Sequence, residues 1–208
     1  MSEEKSLDFI KKFWPKNAPD ITSVPKYIQK YKKELIVIKY GGNVLIDRNI
    51  FNNFIEDISI LNKLGLSIVV VHGGGPRIER KLKEENIKTK FINGLRVTDE
   101  KVISIVEDVL VDFNKDIVNS LKKKGSQAVS ITSKLNNILN VVPDNKELGF
   151  VGIPDNINIE FLKGIIDKKQ IPVIAPLGID KDKNTYNING DTAASAIAKN
   201  LNQEDFCL

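Results

Sequence analysis

The stretch VVVHGGGPRIERKL, Val69–Leu82, decides the fold of this chain, because an apolar run meets three consecutive glycines and a helix-like segment follows. Glycine loses more backbone freedom on folding than any other residue, so three in a row indicate a place that needs bare backbone. Proline suits the first turn of a helix, and a helix is predicted to start near Pro76. The order strand, glycine loop, helix is one unit of an α/β fold.

A second glycine loop of the same kind lies upstream. The run LIVIK (Leu35–Lys39) predicts a buried strand, YGGN follows at residues 40–43, and a helical pattern extends from Arg48 to Leu64. In an open α/β sheet both loops lie at the carboxyl ends of parallel strands, where ligands bind. Free N–H groups at a helix N-terminus attract anions. Two such loops, one directly after Lys39, favour an anion site over a pair of ordinary tight turns.

The segments downstream continue the alternation of strands and helices. They comprise hairpins within Ile87–Val97 and between Ile138–Val142 and Phe150–Ile153, helices at Glu100–Lys124, Ile157–Lys168 and Asp191–Leu201, and strands at QAVSIT (127–132), IPVIAPLG (171–178) and Tyr186–Ile188. This alternation predicts an α/β protein, a three-layer αβα sandwich with a mainly parallel central sheet. Residues 1–34 differ, and they are predicted to form an N-terminal helical extension of a main domain at residues 35–208.

Composition excludes several classes of protein. The single cysteine, Cys207, permits no disulfide within one chain, and the N-terminus has no apolar signal core. No run of about 18 apolar residues predicts a membrane span. The formal net charge is only +4, with basic residues scattered among acids, which argues against a nucleic-acid partner. A cytoplasmic protein without membrane or nucleic-acid partners is predicted.

Familiar catalytic loops do not match the glycines. An esterase oxyanion hole of the HGGG type needs a G-x-S-x-G nucleophile and a separate histidine base, yet the chain has one histidine, His72, inside the loop itself. No G-x-x-x-x-G-K-[ST] occurs, and no G-x-G-x-x-G follows a strand. An anion site built from glycine backbone is the interpretation that remains.

Two polar segments supply further candidates for anion binding. Arg96 in NGLRVTD is one of few arginines, and its guanidinium fork matches a carboxylate with two parallel hydrogen bonds. In YNINGD, alternation along a strand end would aim Asn187, Asn189 and Asp191 at one side. Plainer alternatives stay open: a surface salt bridge for Arg96 and a helix cap for Asp191.

Taken in order, KYGGN, VVVHGGGPRI, NGLRVTD, ELGFVG, IPVIAPLG and YNINGD resemble the N-acetylglutamate kinases of the amino-acid kinase family. These motifs cover almost all of Leu35–Leu201. The resemblance implies phosphoryl transfer from ATP to the side-chain carboxylate of N-acetyl-L-glutamate, in arginine biosynthesis. Mg²⁺ would arrive with the ATP and would need no dedicated protein cage.

The resemblance also implies roles for the residues on the ATP side. Lys39 would hold the phosphoryl group in transfer. Gly41 and Gly42 would offer backbone N–H groups to the ATP phosphates. Asp191 would orient lysines in the site, because a lone acid beside phosphates would otherwise repel them.

On the substrate side, the resemblance implies that Gly74 and Gly75 receive the carboxylate that attacks. Arg96 would clamp the α-carboxylate, and Asn187 would bind the α-region. No general base is needed, since the attacking carboxylate is already ionised. Phosphoryl transfer depends mainly on positioning and on neutralising charge.

The chain departs from the family pattern in two places. TSKLNN (Thr132–Asn137) stands where a glycine-rich SGKDG is usual, although Lys134 remains. The family also continues into a second half that binds adenine and ribose and supplies a second catalytic lysine, and this half is largely absent here. The expectation is therefore that this chain by itself forms little or no acyl phosphate.

Oligomer formation and two alternative functions follow from the same resemblance. A homodimer is expected, or a hexamer if the N-terminal extension acts like the linking helix of arginine-inhibited members. One alternative is a catalytically silent module that binds N-acetylglutamate or arginine. The other is a related kinase acting on an aminoadipate derivative, against which NGLRVTD and NING argue.

Overall fold

The computed structural model describes residues 7–8, 10–12, 14, 20–32, 34–41 and 47–201 of the 208-residue chain. Its helices are α1 (Val24–Tyr31), α2 (Arg48–Lys63), α3 (Gly75–Glu84), α4 (Glu100–Lys123), α5 (Ile159–Asp167) and α6 (Gly190–Leu201). Its strands are β1 (Leu35–Tyr40), β2 (Ser67–His72), β3 (Phe91–Ile92), β4 (Leu95–Arg96), β5 (Ala128–Ile131), β6 (Leu139–Pro143), β7 (Gly152–Ile157), β8 (Ile171–Ile174), β9 (Leu177–Ile179) and β10 (Thr185–Asn187). No helix in these ranges is long and apolar enough to cross a membrane.

The central sheet is parallel throughout, with strand order β1-β2-β8-β5. Successive residues of β2 point to opposite faces, and both faces are covered. On one face Val70 packs with α2 and α4. On the other face Val69 and Val71 pack with α5 and α6. The predicted three-layer αβα sandwich is therefore confirmed, and the full burial of β2 explains its unbroken valine run.

A second, mixed sheet with strand order β10-β9-β6-β7 contains the β6–β7 hairpin, and β3 and β4 form a two-stranded sheet of their own. The predicted pairing of β6 with β7 is antiparallel as expected, and β3 pairs with β4 around Asn93-Gly94. The prediction of one strand across IPVIAPLG is wrong. Pro176 has no N–H to continue a ladder, and the Leu177 N–H donates to the Ala175 carbonyl oxygen at 2.8 Å. The chain turns there, so β8 stays in the central sheet and β9 enters the second sheet.

Local capping fixes where the helices next to the site begin. The Asp47 carboxylate accepts from the N–H groups of Asn49 and Ile50 at 2.7 and 3.1 Å and so starts α2. Asp99 does the same for α4 through Lys101 and Val102. Gly125, at φ +84°, ends α4 in the left-handed conformation that glycine adopts without steric cost.

The N-terminal segment is described only in part. Residues 7–8 and 10–11 are helical, within the predicted helix Ser6–Trp14, and Ile10 is buried, while most of the linker PKNAPD lies outside the described residues. Side chains of this segment, including Val24 and Tyr27, border an apolar groove of about 460 Å³ against α2. The division into an extension and a main domain stays a prediction.

Gly149 connects the loop before α4 to the second sheet. The Thr98 N–H donates to the Leu148 carbonyl oxygen at 2.9 Å, and the Phe150 N–H donates to the Thr98 carbonyl oxygen at 2.7 Å. Gly149 lies between them at φ +68°, and a Cβ there would overlap the Thr98 carbonyl oxygen and lie 3.1 Å from its carbon. Only glycine permits this close approach of two main chains.

We predict that Gly149→Ala destabilises the protein more than Gly125→Ala does. Both glycines have positive φ, and alanine at Gly125 would cost about 1 kcal/mol, whereas Gly149, at φ +68° and ψ −125°, lies outside the left-handed helical well and costs alanine more. Gly125 faces open space, so its cost stops there. Gly149→Ala must also displace the Thr98 main chain and lose a hydrogen bond, for a total of roughly 3 kcal/mol. Urea unfolding of the two variants measures the difference, and equal losses would contradict the assigned contact.

Candidate functional site

A cleft of about 760 Å³ opens at the carboxyl ends of β1 and β2. Six residues predicted from the sequence line it, namely Lys39, Gly74, Gly75, Arg96, Asn187 and Asp191. Gly41 does not line the cleft but lies against the Lys39 side chain, since a Cβ on Gly41 would lie 2.7 Å from Lys39 Cε. Gly42 falls outside the described residues. The two glycine loops and the NING segment therefore converge, as their positions after parallel strands predicted.

The two glycine loops meet through direct main-chain contact. The Gly73 N–H donates to the Tyr40 carbonyl oxygen at 2.7 Å. A Cβ on Gly73 would lie 3.5 Å from Gly41 Cα, and one on Gly190 would lie 3.6 Å from Lys39 Cε. A Cβ on Gly74 would overlap Leu110 Cδ2, whereas Gly75 has open space around it. Bare backbone is therefore required at Gly74 and Gly41, where a Cβ would overlap Leu110 and Lys39, whereas Gly73 and Gly190 leave room for ordinary contacts.

Lys39 and Asp191 form an ion pair at the floor of the cleft. Lys39 Nζ lies 3.0 Å from Asp191 Oδ1, and 72% of the Asp191 side chain is exposed. The interpretation of Asp191 as a helix cap is wrong, because the Asn189 side chain accepts from the N–H groups of Asp191 and Thr192 at 2.9 and 3.1 Å. Asn189 therefore caps α6 and leaves the Asp191 carboxylate to face Lys39.

Arg96 lines the same cleft with only 7% of its side chain exposed. Its Nη1 donates to Glu79 Oε2 and to Thr89 Oγ1, both at 2.8 Å. Its guanidinium carbon lies 4.6 Å from the centre of the Phe91 ring. A salt bridge thus exists, as the plainer alternative held, but it is not a surface one. Both hydrogen bonds use Nη1, so among the described residues no acceptor engages Nε or Nη2, and both remain for a ligand in the cleft.

The second sheet positions Asn187. Its N–H donates to the Phe150 carbonyl oxygen at 2.9 Å, and its side-chain amide lies 3.5 Å from Thr98 Oγ1. Thr98 Oγ1 in turn donates to the Arg96 carbonyl oxygen at 2.8 Å. Asn187 and Arg96 are therefore linked through Thr98, which sequence reasoning did not single out.

Cations outnumber acids around the cleft. The charged side chains that line it are Lys39, Arg80, Lys83 and Arg96 against Glu79 and Asp191. Arg80 and Lys83 were not predicted. Lys83 lies one helical turn after Glu79, on the same face of the helix that follows HGGGP. A cleft of this polarity attracts anionic ligands.

Lys134 lies in TSKLNN, the segment whose sequence departs from the family pattern, and it does not line the cleft. Its Nζ lies 3.0 Å from Asp108 Oδ1 and 3.4 Å from Glu107 Oε2. Glu107 Oε1 also accepts from Ser133 Oγ at 2.6 Å and from Thr185 Oγ1 at 2.9 Å. The segment is thus tied to α4 and to β10, two residues before Asn187.

His72 is fully buried beneath the second glycine loop. Its Nδ1 lies 2.9 Å from the Gly73 carbonyl oxygen and its Nε2 lies 3.2 Å from Asn114 Nδ2. Burial lowers the pKa of His72 to about 4; the hydrogen bond to Gly73 acts in the opposite direction, and the Arg77 cation lowers the pKa further. The imidazole is therefore neutral at pH 7.

We predict that stability falls as the pH drops below 6.5 because of this one residue. The folded pKa of about 4 lies below the unfolded value of 6.5, so the unfolded chain takes up the extra proton. The stabilisation is complete above pH 6.5 and is lost towards pH 4, with a slope of up to about 1.4 kcal/mol per pH unit. Urea unfolding between about pH 7 and pH 5 measures this slope.

The matched control is His72→Gln, which removes the only histidine of the chain. We expect this variant to be less stable at neutral pH and to lose the slope between about pH 6.5 and pH 5, where few carboxylates titrate. A slope that persists in the variant would show that another group causes it.

Comparison with known proteins agrees with this geometry. The model of the amino acid kinase family matches residues 34–208. The chain is 57% identical to an acetylglutamate kinase from Pelagibacter ubique over 97% of its own length and 68% of that protein. It is 47% identical to the acetylglutamate kinase of Petrotoga mobilis over 88% of its length, and there it spans only 62% of the relative.

Solved structures show the same fold. A Streptococcus mutans protein superposes with a TM-score of 0.73 at 31% identity, covering 80% of this chain and 68% of that one. An N-acetylglutamate synthase from Neisseria gonorrhoeae, complexed with coenzyme A and N-acetylglutamate, gives a TM-score of 0.76 at 23% identity, covering 86% of this chain and 42% of that one. From its sequence, its sheet order and its glycine loops, this chain belongs to the amino acid kinase family.

Proposed function

We propose that this chain is the acyl-amino-acid-binding part of an acetylglutamate kinase. It binds N-acetyl-L-glutamate in the cleft and presents the side-chain carboxylate for phosphoryl transfer from ATP. The observation that supports this most is that two separate cationic groups line one cleft. Lys39, with its Asp191 partner, lies beside the glycine loops, and Arg96 lines the same cleft.

The two cationic groups, Lys39 and Arg96, suit the two carboxylates of the substrate. Arg96 Nε and Nη2 form a fork that can hold the α-carboxylate, because Glu79 and Thr89 fix the position of Nη1. Asn187 lies beside it for the acetylamino group. The N–H groups of Gly74 and Gly75, at the positive end of α3, then meet the side-chain carboxylate.

Lys39 would neutralise the charge that spreads over the equatorial phosphoryl oxygens during transfer. Asp191, 3.0 Å away, keeps the ammonium group pointed at that place. Gly41 and Gly42 would contact the phosphates of ATP. We assign Mg²⁺ to the nucleotide phosphates, where its preference for oxygen ligands and retained water is met.

The proposal includes a cytoplasmic location and assembly into a homo-oligomer. The N-terminal extension is the element proposed to link subunits, and the apolar groove between α1 and α2 lies at its base. N-acetyl-L-glutamate and ATP are the proposed small-molecule partners.

We predict that Arg96→Ala weakens the binding of N-acetyl-L-glutamate by about 10- to 100-fold in isothermal titration calorimetry, since a charge-assisted pair contributes about 1.5–3 kcal/mol. Lys81→Ala is the matched control: it removes one positive charge from α3, but Lys81 pairs with Glu85 away from the cleft. Equal affinities for Arg96→Ala and the unchanged chain would remove Arg96 from the site.

A series of ligands tests which cationic group receives which carboxylate. N-acetyl-L-glutamine, which has an amide in place of the side-chain carboxylate, is expected to bind at least about tenfold more weakly, because Lys39 and the glycine N–H groups lose an anion. N-acetyl-L-2-aminoadipate, one methylene longer, should also bind more weakly. Tighter binding of the aminoadipate derivative would overturn the choice of substrate.

Phosphoryl transfer to the same ligands can be measured after ATP and hydroxylamine are added, because hydroxylamine traps an acyl phosphate as a hydroxamate. Any hydroxamate formed should require both N-acetyl-L-glutamate and ATP and should disappear in Lys39→Ala. Formation that persists in Lys39→Ala would contradict the role of this lysine.

A further inference from the structure

His72 lies directly under the glycine loop and takes no part in the proposed contacts with substrate. A carbonyl oxygen can only accept, so His72 Nδ1 carries the proton and donates to the Gly73 carbonyl oxygen at 2.9 Å. Nε2 is then an acceptor, and Asn114 Nδ2 donates a hydrogen bond to it at 3.2 Å. The two hydrogen bonds fix one tautomer of the ring. The edge-on contact with Phe113, at 5.1 Å between ring centres, fixes its plane.

Asn114 is held as firmly as His72. Its Nδ2 donates to the Val173 carbonyl oxygen at 2.9 Å, and its Oδ1 accepts from Ser130 Oγ at 2.6 Å. The amide is fully buried and cannot rotate without losing these bonds. One turn earlier on α4, Leu110 contacts the loop at Gly74. Helix α4 therefore supports the glycine loop at two points, four residues apart.

The peptide between Gly73 and Gly74 is trans, so its C=O and N–H groups point in opposite directions. The carbonyl oxygen points down to His72, and the Gly74 N–H must therefore point to the other side of the loop. That side is the cleft, which Gly74 lines. Among the described residues, the Gly74 N–H has no acceptor.

A peptide flanked by two glycines rotates easily, because both orientations are accessible to residues without Cβ. An anchor on one side is therefore needed to keep the N–H on the other. We propose that His72 is a positioning residue whose Nδ1–H holds the Gly73 carbonyl oxygen, so that the Gly74 N–H faces the cleft and is ready to donate to an anionic oxygen.

The identity of the anion rests on the proposed function, which makes it the side-chain carboxylate of N-acetyl-L-glutamate. The orientation of the N–H does not rest on that function. The two parts can therefore be tested separately with one set of variants.

The variants differ in a single donor. In His72→Asn the side-chain nitrogen occupies the place of Nδ1 and can still donate to Gly73. His72→Leu has nearly the same shape as Asn but no donor. His72→Gln keeps a polar group towards Asn114 and loses the donor to Gly73, and it replaces the leucine variant should that one fail to fold.

Residual dipolar couplings report the direction of the Gly74 N–H in the ligand-free chain, with the Gly125 N–H as an internal reference. We expect the Gly74 coupling to change in His72→Leu and His72→Gln and to keep its original value in His72→Asn. Calorimetry should show N-acetyl-L-glutamate binding roughly tenfold or more weaker in the leucine and glutamine variants. The asparagine variant should recover most of that affinity.

An unaltered Gly74 coupling in both donor-free variants would overturn the inference. A changed coupling with unchanged affinity would also overturn it, because the N–H would then serve no ligand. So would an asparagine variant that binds as weakly as leucine. If the unchanged chain binds no N-acetyl-L-glutamate while the coupling still follows the donor, the proposed function fails and the orienting role of His72 stands.

Discussion

The contact between the two glycine loops is the constraint on which the rest of the site depends. The Gly73 N–H reaches the Tyr40 carbonyl oxygen at 2.7 Å, and this distance brings the ends of β1 and β2 together beyond the sheet itself. A Cβ on Gly41 would displace the Lys39 side chain, and one on Gly73 would lie in contact with Gly41 Cα. Because Lys39 directly precedes one loop and α3 directly follows the other, their spacing sets where an ammonium group and a helix N-terminus can act on the same anion.

Paired charges keep the site ordered while no ligand is bound. Lys39 has Asp191 as a counter-ion, and the nearly buried Arg96 has Glu79. An isolated buried cation would be costly, so each partner lowers the free energy of the empty cleft. Each pair also leaves donors unused, since Lys39 has three N–H groups and Arg96 five. The cleft thus keeps cationic donors available to an anionic ligand although each cation is paired with an acid.

Helix α4 connects the separate parts of the site. Its first turn follows Thr98, which touches both Asn187 and the Arg96 main chain. Its middle part carries Glu107, which holds Thr185 of β10. The next turns bring Leu110 to Gly74 and Asn114 to His72. A helix of 24 residues that packs on the central sheet gives these contacts a common rigid support. Residues that lie far apart along the chain therefore keep fixed distances across the cleft.

The sequence by itself determined the layers of the fold and six of the residues that line the cleft, but not Arg80 or Lys83. Period-two and period-3.6 patterns are local, and so are the glycine loops, which is why β1, β2, α4 and the positions of Gly74 and Arg96 could be predicted. Tertiary structure decided what depends on neighbours distant in sequence. The break of IPVIAPLG at Pro176 moved β9 to another sheet, and Asn189 forms the helix cap that was the plainer alternative for Asp191. Tertiary packing also set the hydrogen-bond and ion-pair partners of Arg96, His72 and Lys134. The secondary-structure propensity of a residue depends on the local sequence. Its hydrogen-bond partner depends on the packing that brings two segments within about 3 Å of each other.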